Sequence, residues 1–192
     1  YLFIGNSTKP TRQENESMEP IKLTNIDFLP LQCAFERGYK LYEGVNRTHA
    51  ELLECANELP VQFYDQHTYR SIFAFNDNWK AYKNLCRFLE NHPNIEILHC
   101  NSPIGGVIGR ICGHKYGIKK IIYTAHGFHF YKGAPLINRT IFKWIEMLLA
   151  HWTDAILTMN QEDFESASKF HMHENGKVYQ VSGVGVDTDS FH

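Results

Sequence analysis

Residues Ile121–Gly133 read IIYTAHGFHFYKG. A run of apolar and β-branched residues ends abruptly at Ala125, and a histidine, a glycine and a polar-aromatic loop follow. This is the pattern of a buried parallel strand that delivers side chains to the carboxyl edge of a sheet, where α/β proteins bind ligands. Two imidazoles (His126 and His129), a flexible backbone position (Gly127) and an ammonium group (Lys132) fall within a few residues of one another. The pattern places any chemical site of this chain here.

Working outward, short apolar runs alternate with helical periodicity along most of the chain. Tyr1–Gly5, Tyr39–Val45, Val61–Tyr64, Ile95–Cys100, Ile118–Thr124, Asp154–Met159 and Lys177–Val181 read as strands. Thr24–Arg37, Thr48–Asn57, Asn76–Asn91, Ile104–Tyr116, Ile137–His151 and Gln161–Phe170 read as helices. Pro30 is expected in the first turn of the first helix and Thr48 at the cap of the second, with Gly38 and Gly117 as helix stops. Asn6–Pro20 is polar, carries two prolines and lacks periodicity, and is expected to be a mobile loop. The alternation predicts an α/β fold, a Rossmann-like parallel sheet with helices on both faces. A length of 192 residues suits a single such domain with a real core.

Composition narrows the function classes. The formal net charge is −2 and no dense basic patch appears, which gives no reason to expect a nucleic-acid partner. Five cysteines (Cys33, Cys55, Cys86, Cys100 and Cys112) are odd in number and include no C-x-x-C pair, so they read as reduced thiols of a cytoplasmic protein. No apolar run approaches the roughly 18 residues of a membrane span. Asn-x-Ser/Thr sequons begin at Asn6, Asn15, Asn46 and Asn138, but they matter only in a secreted protein, and no segment resembles a signal peptide. The chain opens on Tyr1 without a methionine and reads as trimmed or incomplete.

Each suggestive residue also has a plain structural reading. His126 either hydrogen-bonds a ligand such as a sugar hydroxyl or merely caps its strand. Lys132 either neutralises a phosphate or is a solvated loop lysine. His126 and His129 with His151, or His171 with His173, invite a zinc reading, but no carboxylate or cysteine joins them at convincing spacing, and no metal is expected. In His99–Gly106 (HCNSPIGG), Ser102 can cap a helix, Pro103 suits its first position, and Gly105 and Gly106 allow either close packing or ligand approach. A helix N-terminus attracts anions, yet neither G-x-G-x-x-G nor Walker spacing is present, so capping and binding both stay open. The stretch through Leu149 mixes Lys132, Arg139 and Lys143 with Phe130, Tyr131, Ile141, Phe142 and Trp144. Aromatics at helical spacing are expected to be core, and a membrane-surface face is the alternative.

Taken together, HCNSPIGGVIGR (99–110), KKIIYTAHGFHFYKGAP (119–135), LLAHWTDAILTMNQEDFESA (148–167) and VSGVGVDTDSF (181–191) resemble the N-terminal domain of family 4 glycosyltransferases, most of all their capsular and exopolysaccharide branch. The likeness is strong from Ile95 to Phe191, weaker from Ile21 to Asn91 and poor before that. It implies the N-terminal, acceptor-side half of a GT-B fold, in which two Rossmann-like domains face each other across a cleft. Residues 1–192 then form one domain, residues 182–192 begin the interdomain linker, and the C-terminal donor domain is absent from the chain. The resemblance implies transfer of a hexosyl unit from a nucleotide-sugar, commonly a UDP-sugar, with retained configuration and without cofactor or metal. The implied acceptor is a sugar or a polyprenyl-diphosphate-linked sugar at the inner face of the cell membrane, and this half alone is expected to be inactive.

By the same resemblance His126 is catalytic, beside the departing donor sugar. Gly127, His129, Lys132, Asn101, Ser102 and Gly105 are implied to contact substrate, and Gly183, Gly185 and Asp187 to mark the turn toward the donor side. Where the family reads HCHTP this chain reads HCNSP, so the Asn101 amide, which hydrogen-bonds but does not titrate, stands in place of an imidazole. The glycine loop expected after the first strand is replaced by Asn6–Pro20. The competing reading is a non-catalytic sugar- or partner-binding module. A dinucleotide enzyme is disfavoured because no glycine fingerprint follows the first strand.

Overall fold

Tyr1 and Phe3 point into one apolar cluster while Leu2 and Ile4 point into another on the opposite side. A strand buried on both faces belongs at the middle of a parallel sheet, and that is where the chain puts it. The computed structural model describes residues 1–5, 18–47, 49–56, 59–68, 71 and 73–183. Within them the strands are β1 (Leu2–Ile4), β2 (Leu41–Val45), β3 (Val61–Asp65), β4 (Ile97–Cys100), β5 (Lys120–Ala125), β6 (Ala155–Thr158) and β7 (Lys177–Gln180). All neighbouring pairs are parallel, in the order β3-β2-β1-β4-β5-β6-β7, with Leu2 facing Tyr42 on one side and Leu98 on the other. The helices are α1 (Asn25–Glu36), α2 (Phe75–Asn91), α3 (Pro103–Lys115), α4 (Lys143–Ala150) and α5 (Gln161–Ala167).

The expected Rossmann-like architecture is therefore present, with helices on both faces. α2, α3 and α5 close the core built on Leu2, Ile4, Leu98, Tyr123 and Ile156. α1 covers the other face, over Phe3, Leu41 and Phe63. Beyond α1 that face opens over β4–β7 as an apolar groove of about 590 Å³. After β3 the chain crosses back to β4 on the far side of β1. That reversal makes a topological switch point, and the crevice at the carboxyl ends of β1 and β4 is where such sheets take ligands.

The strands agree with the sequence reading to within a residue or two, and so does the span of α1, but the place of Pro30 within α1 and two further helices differ. α1 already starts at Asn25, so Pro30 lies inside it rather than in the first turn. The Thr24 carbonyl accepts from Asp27 and Phe28 and opens the helix more than a turn before Pro30. The segment read as a helix over Thr48–Asn57 forms only a 3₁₀ turn at Ala50–Leu52, with Thr48 and Asn57 outside the described residues. The backbone on either side of Cys55 is taken by a parallel bridge to Ile21, through Ile21 N–H to the Glu54 carbonyl and Ala56 N–H to the Ile21 carbonyl. The helix expected over Ile137–His151 begins as a π-helical turn, Asn138–Phe142, before α4. There the Thr140 hydroxyl donates to the carbonyls of Leu136 and Ile137 and competes with regular α pairing. The loop expected at Asn6–Pro20 lies mostly outside the described residues.

Gly38 and Gly117 do stop helices, with φ of +79° and +64°. No disulfide joins the five cysteines, and the Cys86 and Cys112 sulfurs lie 3.8 Å apart. No helix among the described residues is long and apolar enough to cross a membrane.

Candidate functional site

β5 ends at Ala125, and His126 emerges at the carboxyl edge beside the turn that follows β4. Asn101 is held in that turn by its own N–H, which donates to the Ile4 carbonyl. The two side chains meet: His126 Nε2 lies 2.8 Å from Asn101 Oδ1. An amide oxygen only accepts, so the proton of the neutral ring sits on Nε2, and Nδ1 keeps its lone pair. Asn101 Nδ2 is buried with no partner, a donor available to a ligand. Burial lowers the His126 pKa below its ordinary value, while Asp27 pulls it the other way, so the imidazole is neutral near pH 7.

Both residues line a cleft of about 1030 Å³ that runs from the switch point toward α4. Gly127, Ser102 and His129 also line it, and Lys132 does not. Gly127 has φ +147° with open space where a side chain would be, so the constraint there is conformational. The His129 ring lies 5.5 Å from that of Phe142. The Ser102 hydroxyl accepts from Gly105 N–H at 3.2 Å as the N-cap of α3. Gly105 is packed beneath it, since a Cβ there would lie 2.5 Å from Ser102 Oγ and 2.8 Å from an Ile4 methyl. Close packing thus accounts for Gly105 without a ligand. Gly183, with φ +104°, borders the apolar groove on the other face of the sheet, and Gly185 and Asp187 lie outside the described residues. Among the described residues no three His, Cys, Asp or Glu side chains gather as a metal site.

His99, one residue before the carboxyl end of β4, serves the core instead. Its ring is held between Tyr1 Oη at 2.5 Å and Thr124 Oγ1 at 2.7 Å. Burial, helped by His126, drives its pKa down to about 3, so it stays neutral.

Three groups around the cleft escaped the sequence reading. The first anchors the loop after β5. Asp163 is buried and its carboxylate accepts from Phe128 N–H and from Asn160 Nδ2. The pattern Asn160-x-x-Asp163 is a helix-capping signature, and Asn160 Oδ1 indeed accepts from Asp163 N–H at 2.8 Å. Stacking of Phe128 on Phe130, with Phe170 alongside, completes the anchor. Asp163→Ala is expected to cost about 1.5–3 kcal/mol, the range for hydrogen bonds to a charged group. A urea melt measures the loss, and the Phe128 amide should exchange faster with solvent.

The second group is a pair of carboxyls at the carboxyl ends of β1 and β2. Glu43 Oε1 and Asp27 Oδ1 flank Gly5, 3.1 and 3.8 Å from where its Cβ would lie. Thr24 Oγ1 donates to Asp27 Oδ2 at 2.6 Å, while Asp27 Oδ1 and Glu43 Oε2 have no partner. Burial raises both pKa values; Asp27 adds to the shift of Glu43, and bonds from Thr24 oppose that of Asp27. The readable signal was a carboxylate within the apolar strand LYEGV.

The folded pKa of Glu43 lies above its unfolded value near 4.5. Its contribution to stability is therefore complete below that value and is lost as pH rises through the folded pKa. Glu43→Gln is expected to match the parent protein near pH 4 and to exceed it at pH 8 by about 1 kcal/mol or more, the scale of relieving one buried polar group. Thermal melts at the two pH values check this, and a difference independent of pH would contradict it.

The third group is the wall formed by Arg110 and Glu146. Arg110 is fully buried and donates to Glu146 Oε2 at 2.8 Å and to the Gly106 carbonyl at 2.9 Å, with its guanidinium 4.0 Å from the centre of the Tyr123 ring. Burial works against the charge, but Glu146 and Tyr123 outweigh it and the pKa is raised. Glu146 and Tyr123 face the cleft.

No family model matches the chain. The chain is 36% identical over 117 residues to "Putative glycosyltransferase EpsD" of Bacillus subtilis, a match covering 59% of this chain and 30% of that protein. It is 23% identical over 181 residues to the UDP-Gal:alpha-D-GlcNAc-diphosphoundecaprenol alpha-1,3-galactosyltransferase of Escherichia coli, covering 89% and 46%. The chain thus spans between about a third and a half of the length of these relatives. Among solved structures, Arabidopsis thaliana UGT89C1 complexed with UDP-L-rhamnose superposes with a TM-score of 0.45 at 11% identity, over 98% of this chain and 49% of that one. By sequence the chain is thus similar to glycosyltransferases, and its seven-stranded parallel sheet is the Rossmann-like α/β fold expected of it.

Proposed function

We propose that this domain is the acceptor-side half of a retaining hexosyltransferase of family 4 that draws on a nucleotide-sugar, most simply a UDP-sugar, in exopolysaccharide or capsule assembly. The observation that carries the reading is the His126–Asn101 pair at the switch point of the sheet, opening onto a cleft large enough for a sugar. A polyprenyl-diphosphate-linked sugar, of the type named for the Escherichia coli relative, enters as acceptor at the cytoplasmic face of the membrane.

In this reading His126 Nδ1 accepts a hydrogen bond from a hydroxyl of the donor sugar. Its lone pair also offsets the positive charge that develops at the anomeric carbon as the diphosphate departs. Asn101 fixes the ring, and its unpartnered Nδ2 donates to a substrate oxygen. Gly127 keeps the backbone clear of the sugar. None of the described residues lining the cleft is Lys or Arg, so the cations that hold the leaving diphosphate come from a donor domain outside these residues, and the half alone does not turn over. The donor-side role that the resemblance implies for Gly183, Gly185 and Asp187 belongs to the same proposal.

The absence of cleft cations also suits a second reading, a module that binds a sugar or a partner without chemistry. Incubating the full-length protein with a panel of UDP-hexoses and a polyprenyl-diphosphate-linked sugar separates the two. Transfer with the donor's configuration kept, read by mass spectrometry and NMR, supports the first reading. Saturable sugar binding without turnover supports the second.

A further inference from the structure

Two cysteines far apart in sequence meet in the fold. Cys86 on α2 and Cys112 on α3 bring their sulfurs to 3.8 Å where the two helices pack together. Cys112 has no exposed surface, and Cys86 is 8% exposed. Leu85 and Leu89 of α2 and Ile108 of α3 belong to the same core. Two buried thiols in such a place also suit simple packing, since a cysteine behaves there as a small apolar side chain.

The surroundings of Cys86 are not those of a packing residue. Lys115 Nζ donates to Cys86 Sγ at 3.8 Å and to the Tyr82 hydroxyl at 3.2 Å, at the outer margin of the interface. An ammonium group beside a sulfur stabilises the negative charge that the sulfur carries when it acts as a nucleophile. The inner sulfur is held differently. Burial, followed by the neighbouring Cys86, raises the pKa of Cys112, and Lys115 offsets this only in part, so Cys112 stays a thiol. One sulfur with a cation at the margin and a second thiol waiting behind it is the arrangement of an attacking and a resolving cysteine.

We propose that Cys86 and Cys112 form a reversible disulfide when the protein meets a hydroperoxide. The Cys86 sulfur, its proton released, attacks the peroxide. An S–O bond forms, the O–O bond breaks, and the departing alkoxide or hydroxide takes up a proton. Cys112 then attacks the Cys86 sulfenic acid across the 3.8 Å gap. The S–S bond forms, the S–O bond breaks, and the hydroxyl leaves as water with the Cys112 proton. Two thiols together give up two electrons, one peroxide is reduced to an alcohol or water, and a thiol reductant reverses the change. The bond ties α2, whose Asn78 borders the cleft, to α3, whose Ile104 and Val107 line it. The proposal rests on the sulfur contact and not on the sugar-transfer reading.

The test treats the reduced full-length protein with hydrogen peroxide and maps its thiols by mass spectrometry of a non-reducing digest. The expected product is a peptide pair joined through Cys86 and Cys112, two hydrogens lighter than the separate peptides and released by dithiothreitol. In C112A, dimedone should trap a sulfenic acid at Cys86, whereas in C86A the Cys112 thiol should stay unmodified. The oxidised parent is expected to melt roughly 5–10 °C above the reduced one, the scale for a cross-link between residues 26 positions apart. Peroxide should leave the melt of C86A/C112A unshifted. Circular dichroism checks that the variants are folded, and the thiol map of the parent decides the matter if they are not. Oxidation confined to Cys33 and Cys55, with Cys86 and Cys112 left as thiols, overturns the proposal. So does a cross-link that appears only after denaturation, or conversion of Cys86 to a sulfinic acid without any cross-link.

Discussion

His126→Ala is expected to lower sugar transfer by the full-length protein about 10²- to 10³-fold, the usual consequence of removing one group that stabilises transition-state charge. The loss should fall on kcat more than on KM, because the interaction strengthens only as the sugar becomes positive. The ring is pinned to Asn101 at 2.8 Å, so it needs no reorganisation as the bond breaks. Its protonation state adds a second readout. Burial holds the His126 pKa below the ordinary histidine value, with Asp27 opposing. Activity is therefore expected to persist through neutral pH and to fall only when acid protonates the ring, below about 6.5. Removing the Asp27 charge takes away the opposing influence, so Asp27→Asn should move that acid limb to still lower pH. Full activity in His126→Ala would remove the residue from the chemistry, and an acid limb unmoved in Asp27→Asn would break the link between the two residues.

Glu146→Ala is expected to be the most destabilising single change near the cleft, costing about 3–5 kcal/mol, because it leaves a fully buried guanidinium without its anion. Arg110 has 0% exposed side chain and an Nη2 that already lacks a partner, so neither water nor a neighbour replaces the lost carboxylate. In a domain of this size the deficit corresponds to a Tm lower by roughly 6–20 °C. The double change R110M/E146L removes both charges and keeps the volume, and should recover most of the stability, since apolar replacements of buried pairs are often neutral or better. A Glu146→Ala protein that melts with the parent would show that the pair contributes little to holding α3 against α4.

The contrast between these residues shows how far the sequence could be read. His126 was visible because it follows an apolar strand directly and precedes a glycine, a local pattern with one outcome at the edge of a parallel sheet. The Ser102 cap and the stops at Gly38 and Gly117 were equally local. The Arg110–Glu146 pair joins residues 36 positions apart, and Asp163 reaches Phe128 across 35. Their side chains carry no mark in sequence that says which neighbour will be met. The misread helix at Thr48–Asn57 has the same cause, because Ile21 captured backbone that local propensity assigned to a helix.

The sequence by itself determined the order of strands and helices, the parallel sheet and the strand end that carries His126, because hydrophobic period and capping chemistry act over a few residues. Tertiary structure alone decided that Asn101 orients the imidazole, that Asp27 and Glu43 meet beside Gly5, and that Trp144 turns outward rather than into the core. Periodicity states that a helix has an apolar face, but whether that face finds a partner depends on what the rest of the chain leaves uncovered.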